Sequence, residues 1–148
     1  MIKAVIFDMD GVLIDTEPLH YRCWKEILKE HYDVEFDYDI YLPCIGSTRD
    51  LVKEHYGVDF PDLDEMNRIM KVKKSQIVKA EGFPEMPGVE NALKQLKEMG
   101  YKLAVASSSP ESEIMDAMTR LGLMPYFDSI TSGDHVEHPK PEPDTFLL

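Results

Sequence analysis

Hydrophobic positions along the chain change their spacing twice. Ile2 to Phe7 is a short apolar run rich in β-branched and aromatic residues, which predicts a buried strand. From about Thr16 to Met86 the apolar residues recur at helical spacing instead, and no run there is typical of a strand. After that interval, helical stripes alternate with short apolar runs at residues 103–106 and 127–131. This order predicts an α/β protein that carries a helical insertion.

The alternation indicates a fold class and a division of the chain. We expect a Rossmann-like parallel sheet core from residues 1–15 and 87–148, and an inserted all-helical domain from residues 16–86. Turn and cap residues indicate where helices begin and end. Asp62 is expected to cap a helix start, and Ser109 before Pro110 is expected to begin another.

Composition and charge narrow the class of protein. The chain has 148 residues, of which 43% are hydrophobic and 30% charged, as is ordinary for a soluble globular protein. Its formal net charge of −12 argues against nucleic acid or an anionic membrane as a partner, because both require a basic surface. No apolar run is long enough to span a bilayer and no signal-peptide pattern occurs, so we expect a cytoplasmic location. Cys23 and Cys44 lack metal-type spacing and are expected to be reduced thiols.

Asp8 and Asp10 stand on alternate residues directly after the first predicted strand, and Gly11 follows them. Ligands of open α/β sheets bind at the carboxyl ends of the strands, where these carboxylates would lie. Two crowded carboxylates repel one another and require a compensating cation or proton. For an isolated Asp-x-Asp a solvated turn is the more common explanation, whereas a calcium loop fits poorly because the expected glutamate is missing.

Two further segments strengthen the functional interpretation. Asp8-Met9-Asp10-Gly11, the strand ending at Ser107, and the segment Lys140 to Asp144 resemble the first three motifs of the haloacid dehalogenase superfamily. The resemblance covers essentially the whole chain. It is closest to the branch with a helical cap after the first motif, which includes small-molecule phosphatases and β-phosphoglucomutase. It implies that residues 16–86 form this cap.

The resemblance implies a role for each motif residue. Asp8 would be the nucleophile that forms an aspartyl-phosphate, and Asp10 would protonate the leaving oxygen and later take a proton back. Mg²⁺ would be held by Asp8 and by the main-chain carbonyl of Asp10. Ser107 and a backbone N–H of Ser108 would bind phosphate oxygens at a helix start. Lys140 would offset the negative charge.

Residues of the helical interval are weaker candidates. The resemblance suggests that His20 lies at the hinge between cap and core, although an exposed histidine is at least as common. Arg49 follows Gly46-Ser47-Thr48, where this branch carries a loop that faces the substrate, but a surface arginine is an equal alternative. The charged run Lys71 to Lys74 is more simply a solvated helix face.

The sequence departs from the family after Lys140. The fourth motif, which supplies further acidic metal ligands, does not occur before Leu148, so we expect a fragment of a longer protein with the C-terminal part of the core missing. The resemblance implies a Mg²⁺-dependent phosphatase of a small phosphorylated metabolite, such as a sugar phosphate. A phosphomutase of the β-phosphoglucomutase type, or a truncated chain without turnover, remains an alternative. A monomer is expected.

Overall fold

The computed structural model describes residues 2–45 and 47–147. The chain divides into two compact units, Met1–Thr16 with Phe83–Leu148, hereafter the α/β unit, and Glu17–Gly82, hereafter the helical unit. Gly46 and Leu148, which entered the expectations above, lie outside the described residues.

Strands and helices follow one another as an α/β sequence requires. The strands are β1 (Ala4–Phe7), β2 (Lys102–Ser107) and β3 (Ser129–Ser132). The helices are α1 (Thr16–Tyr32), α2 (Tyr38–Tyr41), α3 (Thr48–Tyr56), α4 (Leu63–Glu81), α5 (Val89–Glu98), α6 (Glu111–Arg120) and α7 (Asp144–Leu147). Short 3-10 helices span Leu42–Cys44, Met124–Tyr126 and Gly133–His135.

Parallel pairing in the order β1-β2-β3 confirms the predicted α/β class. The register pairs Phe7 with Val105 and Ser107 with Ser132, so the carboxyl ends of all three strands meet at one edge of the sheet. The apolar cluster that surrounds the sheet includes Met9, Leu13, Leu93, Leu103, Val105, Ile114 and Met118.

The prediction that the first strand is buried is wrong. Among the described residues β1 pairs only with β2, and its exposure alternates, with Ile6 at 45%. An apolar run cannot reveal whether both faces of its strand are covered. Further exposed apolar side chains lie on α7, where Phe146 and Leu147 are 47% and 80% accessible.

Helix caps in the helical unit follow the local sequence. The Asp62 carboxylate accepts a hydrogen bond of 2.9 Å from the Glu65 N–H and caps α4, as predicted. Gly57 ends α3 with a φ of 66°, a conformation that favours glycine. No helix in the described part of the chain is both long and apolar enough to cross a membrane.

The interior of the helical unit is aromatic. Trp24 packs against Phe60, and Phe36 against Tyr41, with ring centroids 5.7 and 6.2 Å apart. Burial and a hydrogen bond to Glu17 raise the pKa of Tyr41, which therefore stays protonated. The short helix α2 and the 3-10 helix after it were not predicted, because four polar and aromatic residues carry no helical period.

Candidate active site

The turn after β1 separates one buried side chain from two acidic ones. Met9 is buried in the apolar cluster, while Asp8 and Asp10 on either side of it are more accessible. The Met9 carbonyl accepts hydrogen bonds from the N–H groups of Val12, Leu13 and Ile14 at 2.9–3.3 Å. Gly11 has a φ of 73°. This tight turn holds both carboxylates at the carboxyl end of β1.

Lys140 meets the first of these carboxylates. Its Nζ lies 3.2 Å from Asp8 Oδ1 and donates to the carbonyl of Ala106 on β2 at 2.9 Å. The same ammonium lies 5.0 Å from the ring centre of Phe146. Asp8 Oδ1 also accepts the Met9 N–H at 2.8 Å, and Asp8 Oδ2 makes no hydrogen bond to the described residues. One oxygen of Asp8 is therefore fixed, and the other is open to react.

Asp10 meets the loop that follows β2. The hydroxyl of Ser109 donates to Asp10 Oδ2 at 2.9 Å, and the Ser109 N–H donates to the hydroxyl oxygen of Ser107 at 3.1 Å. Ser107 is 0% exposed at the end of β2, whereas Ser108 is exposed. The structure thus brings Asp8, Asp10, Lys140 and residues 107–109, hereafter the serine loop, to one edge of the sheet.

The loop after β3 contacts the backbone of the serine loop. The buried hydroxyl of Ser132 donates to the Ser109 carbonyl at 2.7 Å. A Cβ on Gly133 would lie 2.9 Å from the carbonyl oxygen of Ser108, so only glycine permits this close approach. Sequence reasoning missed Ser132 and Gly133, because nothing in the local sequence indicates contact with a loop more than twenty residues earlier.

The expectation that Ser109 caps the helix after Pro110 is wrong. The residue that precedes α6 is Pro110, and the first helical N–H, that of Glu111, donates to Asp134 Oδ2 at 3.0 Å. The Ser109 hydroxyl is consequently used for Asp10. The cap comes from a residue distant in sequence, which no local pattern could predict.

Arg49 and His20 belong to the helical unit. Arg49 is half-buried on α3; its Nη2 donates to the Pro61 carbonyl at 2.8 Å, and its buried Nε has no partner among the described residues. His20 is exposed on α1. Roles for both remain predictions.

The interpretation of the lysine run as a solvated face is wrong for Lys73. This side chain is buried, with 9% of the residue accessible, and its Nζ lies 2.8 and 2.7 Å from the two carboxylate oxygens of Glu30. The ammonium group of Lys73 is thus paired with a carboxylate of α1 and does not belong to a uniformly solvated helix face.

The cysteines are not candidates for nucleophiles. Both are buried free thiols, and burial raises the pKa of Cys23 to about 11. Burial also raises the pKa of Cys44. Since the thiolate is the reactive form, these side chains are inert at neutral pH.

Comparisons with known proteins give the family. The model of the haloacid dehalogenase-like hydrolase family matches residues 5–148. The phosphorylated carbohydrates phosphatase of Thermotoga maritima is 35% identical over 150 residues, which cover 99% of this chain and 68% of that protein. The β-phosphoglucomutase of Bacillus subtilis is 30% identical over 155 residues, which cover 99% of this chain and 67% of that protein.

A solved structure agrees with the sequence matches. A crystal structure of a Thermotoga maritima protein superposes with a TM-score of 0.79 at 34% identity and covers 99% of this chain and 68% of that one. The fold, the order of the motifs and these relatives agree. The chain therefore belongs to the haloacid dehalogenase-like hydrolases and, within them, to the phosphoric monoester hydrolases.

Proposed function

We propose that the protein removes the phosphoryl group from a small phosphorylated metabolite, a sugar phosphate, through an aspartyl-phosphate on Asp8. The observation that carries this proposal is the environment of the Asp8 carboxylate. Lys140 and the Met9 N–H hold Oδ1, while Oδ2 has no hydrogen-bond partner among the described residues. A carboxylate with one oxygen fixed and one open is suited to nucleophilic attack.

In the first step Asp8 Oδ2 attacks phosphorus, and the bond from phosphorus to the ester oxygen breaks. The proton that the leaving oxygen needs comes from the carboxyl group of Asp10, two residues further along the same turn. In the second step water attacks the aspartyl-phosphate and gives its proton to the Asp10 carboxylate. The bond between phosphorus and Asp8 then breaks, and inorganic phosphate is released.

Phosphoryl transfer depends mainly on placing groups and neutralising charge around the phosphoryl oxygens. Lys140 supplies a positive charge beside Asp8, at a nitrogen that is already bound to a main-chain carbonyl. We assign binding of phosphoryl oxygens to the serine loop, to the N–H of the exposed Ser108 and to the hydroxyl of Ser107. Ser107 is fully buried, so its hydroxyl would have to become accessible before it could bind a phosphoryl oxygen.

We propose that a carboxylate oxygen of Asp8 and the main-chain carbonyl of Asp10 bind Mg²⁺, since this ion prefers hard oxygen ligands. Within residues 2–45 and 47–147, no group of three or more acidic, histidine or cysteine side chains is placed to hold a metal. Water would therefore have to supply most of the other ligands, as is usual for this ion. When bound, the ion would offset negative charge on the phosphoryl oxygens.

The substrate class comes from the relatives. A relative that shares 35% identity is named for phosphorylated carbohydrates, and a further one is the fructose-1-phosphate phosphatase of Escherichia coli. We propose that the helical unit determines which sugar phosphate is bound, and that the guanidinium group of Arg49 binds this substrate. The buried Nε of Arg49 has no partner among the described residues, and an unpaired buried donor is costly unless water or a ligand meets it. A hinge role for His20 remains a proposal without a contact to support it.

The experiment is phosphate release by the full chain with Mg²⁺, from 4-nitrophenyl phosphate and from glucose 1-phosphate. Asp8→Asn should abolish release from both, because an amide does not attack phosphorus. Asp116→Asn on α6, an exposed aspartate paired with Arg120, is the matched control and should keep full activity. A folded Asp8→Asn protein that retains turnover would refute the proposal.

A phosphomutase uses the same chemistry but gives the phosphoryl group to a sugar hydroxyl instead of water. The 30% identity to a β-phosphoglucomutase makes this the second candidate. Conversion of β-glucose 1-phosphate into an isomeric sugar phosphate, with little inorganic phosphate released, would select the mutase.

A further inference from the structure

Ser109 is bound at three atoms to parts of the α/β unit that the sequence does not place near one another. Its hydroxyl donates to Asp10 Oδ2 at 2.9 Å. Its N–H donates to the Ser107 hydroxyl at 3.1 Å, and its carbonyl accepts the hydroxyl of Ser132 at 2.7 Å. Ser107 and Ser132 are both fully buried and pair with each other in the sheet register. The backbone of Ser109 is therefore fixed by buried groups at the ends of two strands.

The Ser109 hydroxyl is not needed for the helix that follows. The N–H of Glu111 is capped by Asp134, and the next described bonds of this turn run from Glu113 and Ile114 to the Pro110 carbonyl. A serine just before a helix ordinarily caps it. Here that requirement is met by another residue, so the hydroxyl has one partner among the described residues, which is Asp10.

We propose that Ser109 is a positioning residue that fixes the orientation of the Asp10 carboxyl group. The inference rests on the acid–base role of Asp10 given above. Ser109 occupies Oδ2, and Oδ1 of Asp10 accepts no hydrogen bond from the described residues. Oδ1 is therefore the oxygen left free to exchange a proton with the leaving oxygen and with water.

The proton balance of this arrangement is simple. The bond between Oδ1 and its proton breaks as the leaving oxygen takes that proton, and the bond re-forms when water attacks the aspartyl-phosphate. Ser109 keeps its own proton throughout and touches no reacting atom. Without its hydroxyl the Asp10 carboxyl group could rotate, and the productive orientation would be populated less often.

Two substrates of nearly equal shape test the inference. Phenol is a poorer leaving group than 4-nitrophenol, so phenyl phosphate depends on the acid more than 4-nitrophenyl phosphate does. In the full chain, Ser109→Ala should lower kcat for phenyl phosphate about tenfold, the upper end for loss of a hydrogen bond between neutral groups. The kcat for 4-nitrophenyl phosphate should fall less than about threefold, and KM should stay unchanged for both.

Conservative and matched variants separate positioning from general damage. Ser109→Thr keeps a hydroxyl and should restore the kcat for phenyl phosphate. Ser112→Ala, the same change at an exposed position of α6, should behave like the parent protein. In an Asp10→Asn background, Ser109→Ala should have no further effect on the ratio of the two substrates, because the group that it positions has lost its function.

Failure of this inference is distinguishable from failure of the proposed function. Equal losses on both substrates in Asp10→Asn would refute the acid role itself. A selective loss in Asp10→Asn together with equal losses in Ser109→Ala would refute only the positioning role. A crystal structure of Ser109→Ala gives a readout without turnover: an Asp10 carboxylate that keeps its orientation there would overturn the inference.

Discussion

An alanine at Gly133 tests whether the serine loop must keep its present place. The new Cβ would lie 2.9 Å from the carbonyl oxygen of Ser108 and 3.3 Å from its carbonyl carbon, whereas ordinary contact begins near 3.4 Å. Ser108 would have to move by about 0.5 Å, because the atoms that clash are backbone atoms. Overpacking of this kind costs about 1–3 kcal/mol of unfolding free energy.

The same displacement predicts a loss of turnover. A misplacement of about 1 Å at a reacting centre can cost about a hundredfold in rate, so a shift of half that size should lower kcat about tenfold. The assay is kcat for phenyl phosphate by Gly133→Ala at saturating substrate, with urea unfolding to measure stability.

Gly100→Ala is the control for stability alone. Gly100 has a φ of 85° and no atom within 4 Å of a built Cβ, so alanine there is strained by about 1–2 kcal/mol without a clash. It precedes β2, at the opposite end of the strand from Ser108. The two variants should unfold at similar urea concentrations, and only Gly133→Ala should be slow. Equal kcat values in both would refute the reasoning.

Three further outcomes are expected. Lys140→Met should lower kcat by about 10²–10³, the usual cost of one donor to developing charge, while the protein stays folded by circular dichroism; near-normal turnover would contradict the charge role. Arg49→Ala should raise KM for a sugar phosphate while leaving KM for phenyl phosphate unchanged, and equal changes would remove it from the binding site. Hydrogen bonds from the Leu103 N–H and from Lys97 lower the pKa of Asp128 to about 2. The contribution of Asp128 to the free energy of unfolding should thus be complete above its unfolded pKa of about 3.9 and be lost as pH falls through 2. In urea unfolding, the free energy of unfolding of Asp128→Asn should fall less on acidification than that of the parent protein.

Local sequence patterns predicted the features that local chemistry determines. The helical period and the capping aspartate placed α4 correctly, since the Asp62 cap and the N–H groups that it satisfies lie within one turn. The polar turn after the first apolar run was equally predictable, because Asp and Gly at the end of a strand favour a turn. The turn geometry then follows from Gly11 and from the Met9 carbonyl.

Three of the misses share one physical cause, which is contact with residues distant in sequence. Ser109 has the sequence of a helix cap, yet Asp134 takes that role. Lys73 stands in a charged run, yet Glu30 from another helix pairs with it and allows its burial. Exposure of β1 depends on what covers the face that carries Ile6, which the strand's own residues do not encode. Each case needed the tertiary structure.

The contacts of Lys140 also determine whether its side chain becomes ordered during folding or only when phosphate binds. A lysine side chain loses up to about 2 kcal/mol of rotamer entropy when it is immobilised. Here the bond from Nζ to the Ala106 carbonyl and the contact with the Phe146 ring restrict it within the protein itself. This side-chain entropy is lost when the protein folds. The ammonium group is therefore already ordered when a phosphate binds. We therefore expect weaker phosphate binding when a substitution releases Lys140 from these contacts but leaves the net charge of the protein unchanged.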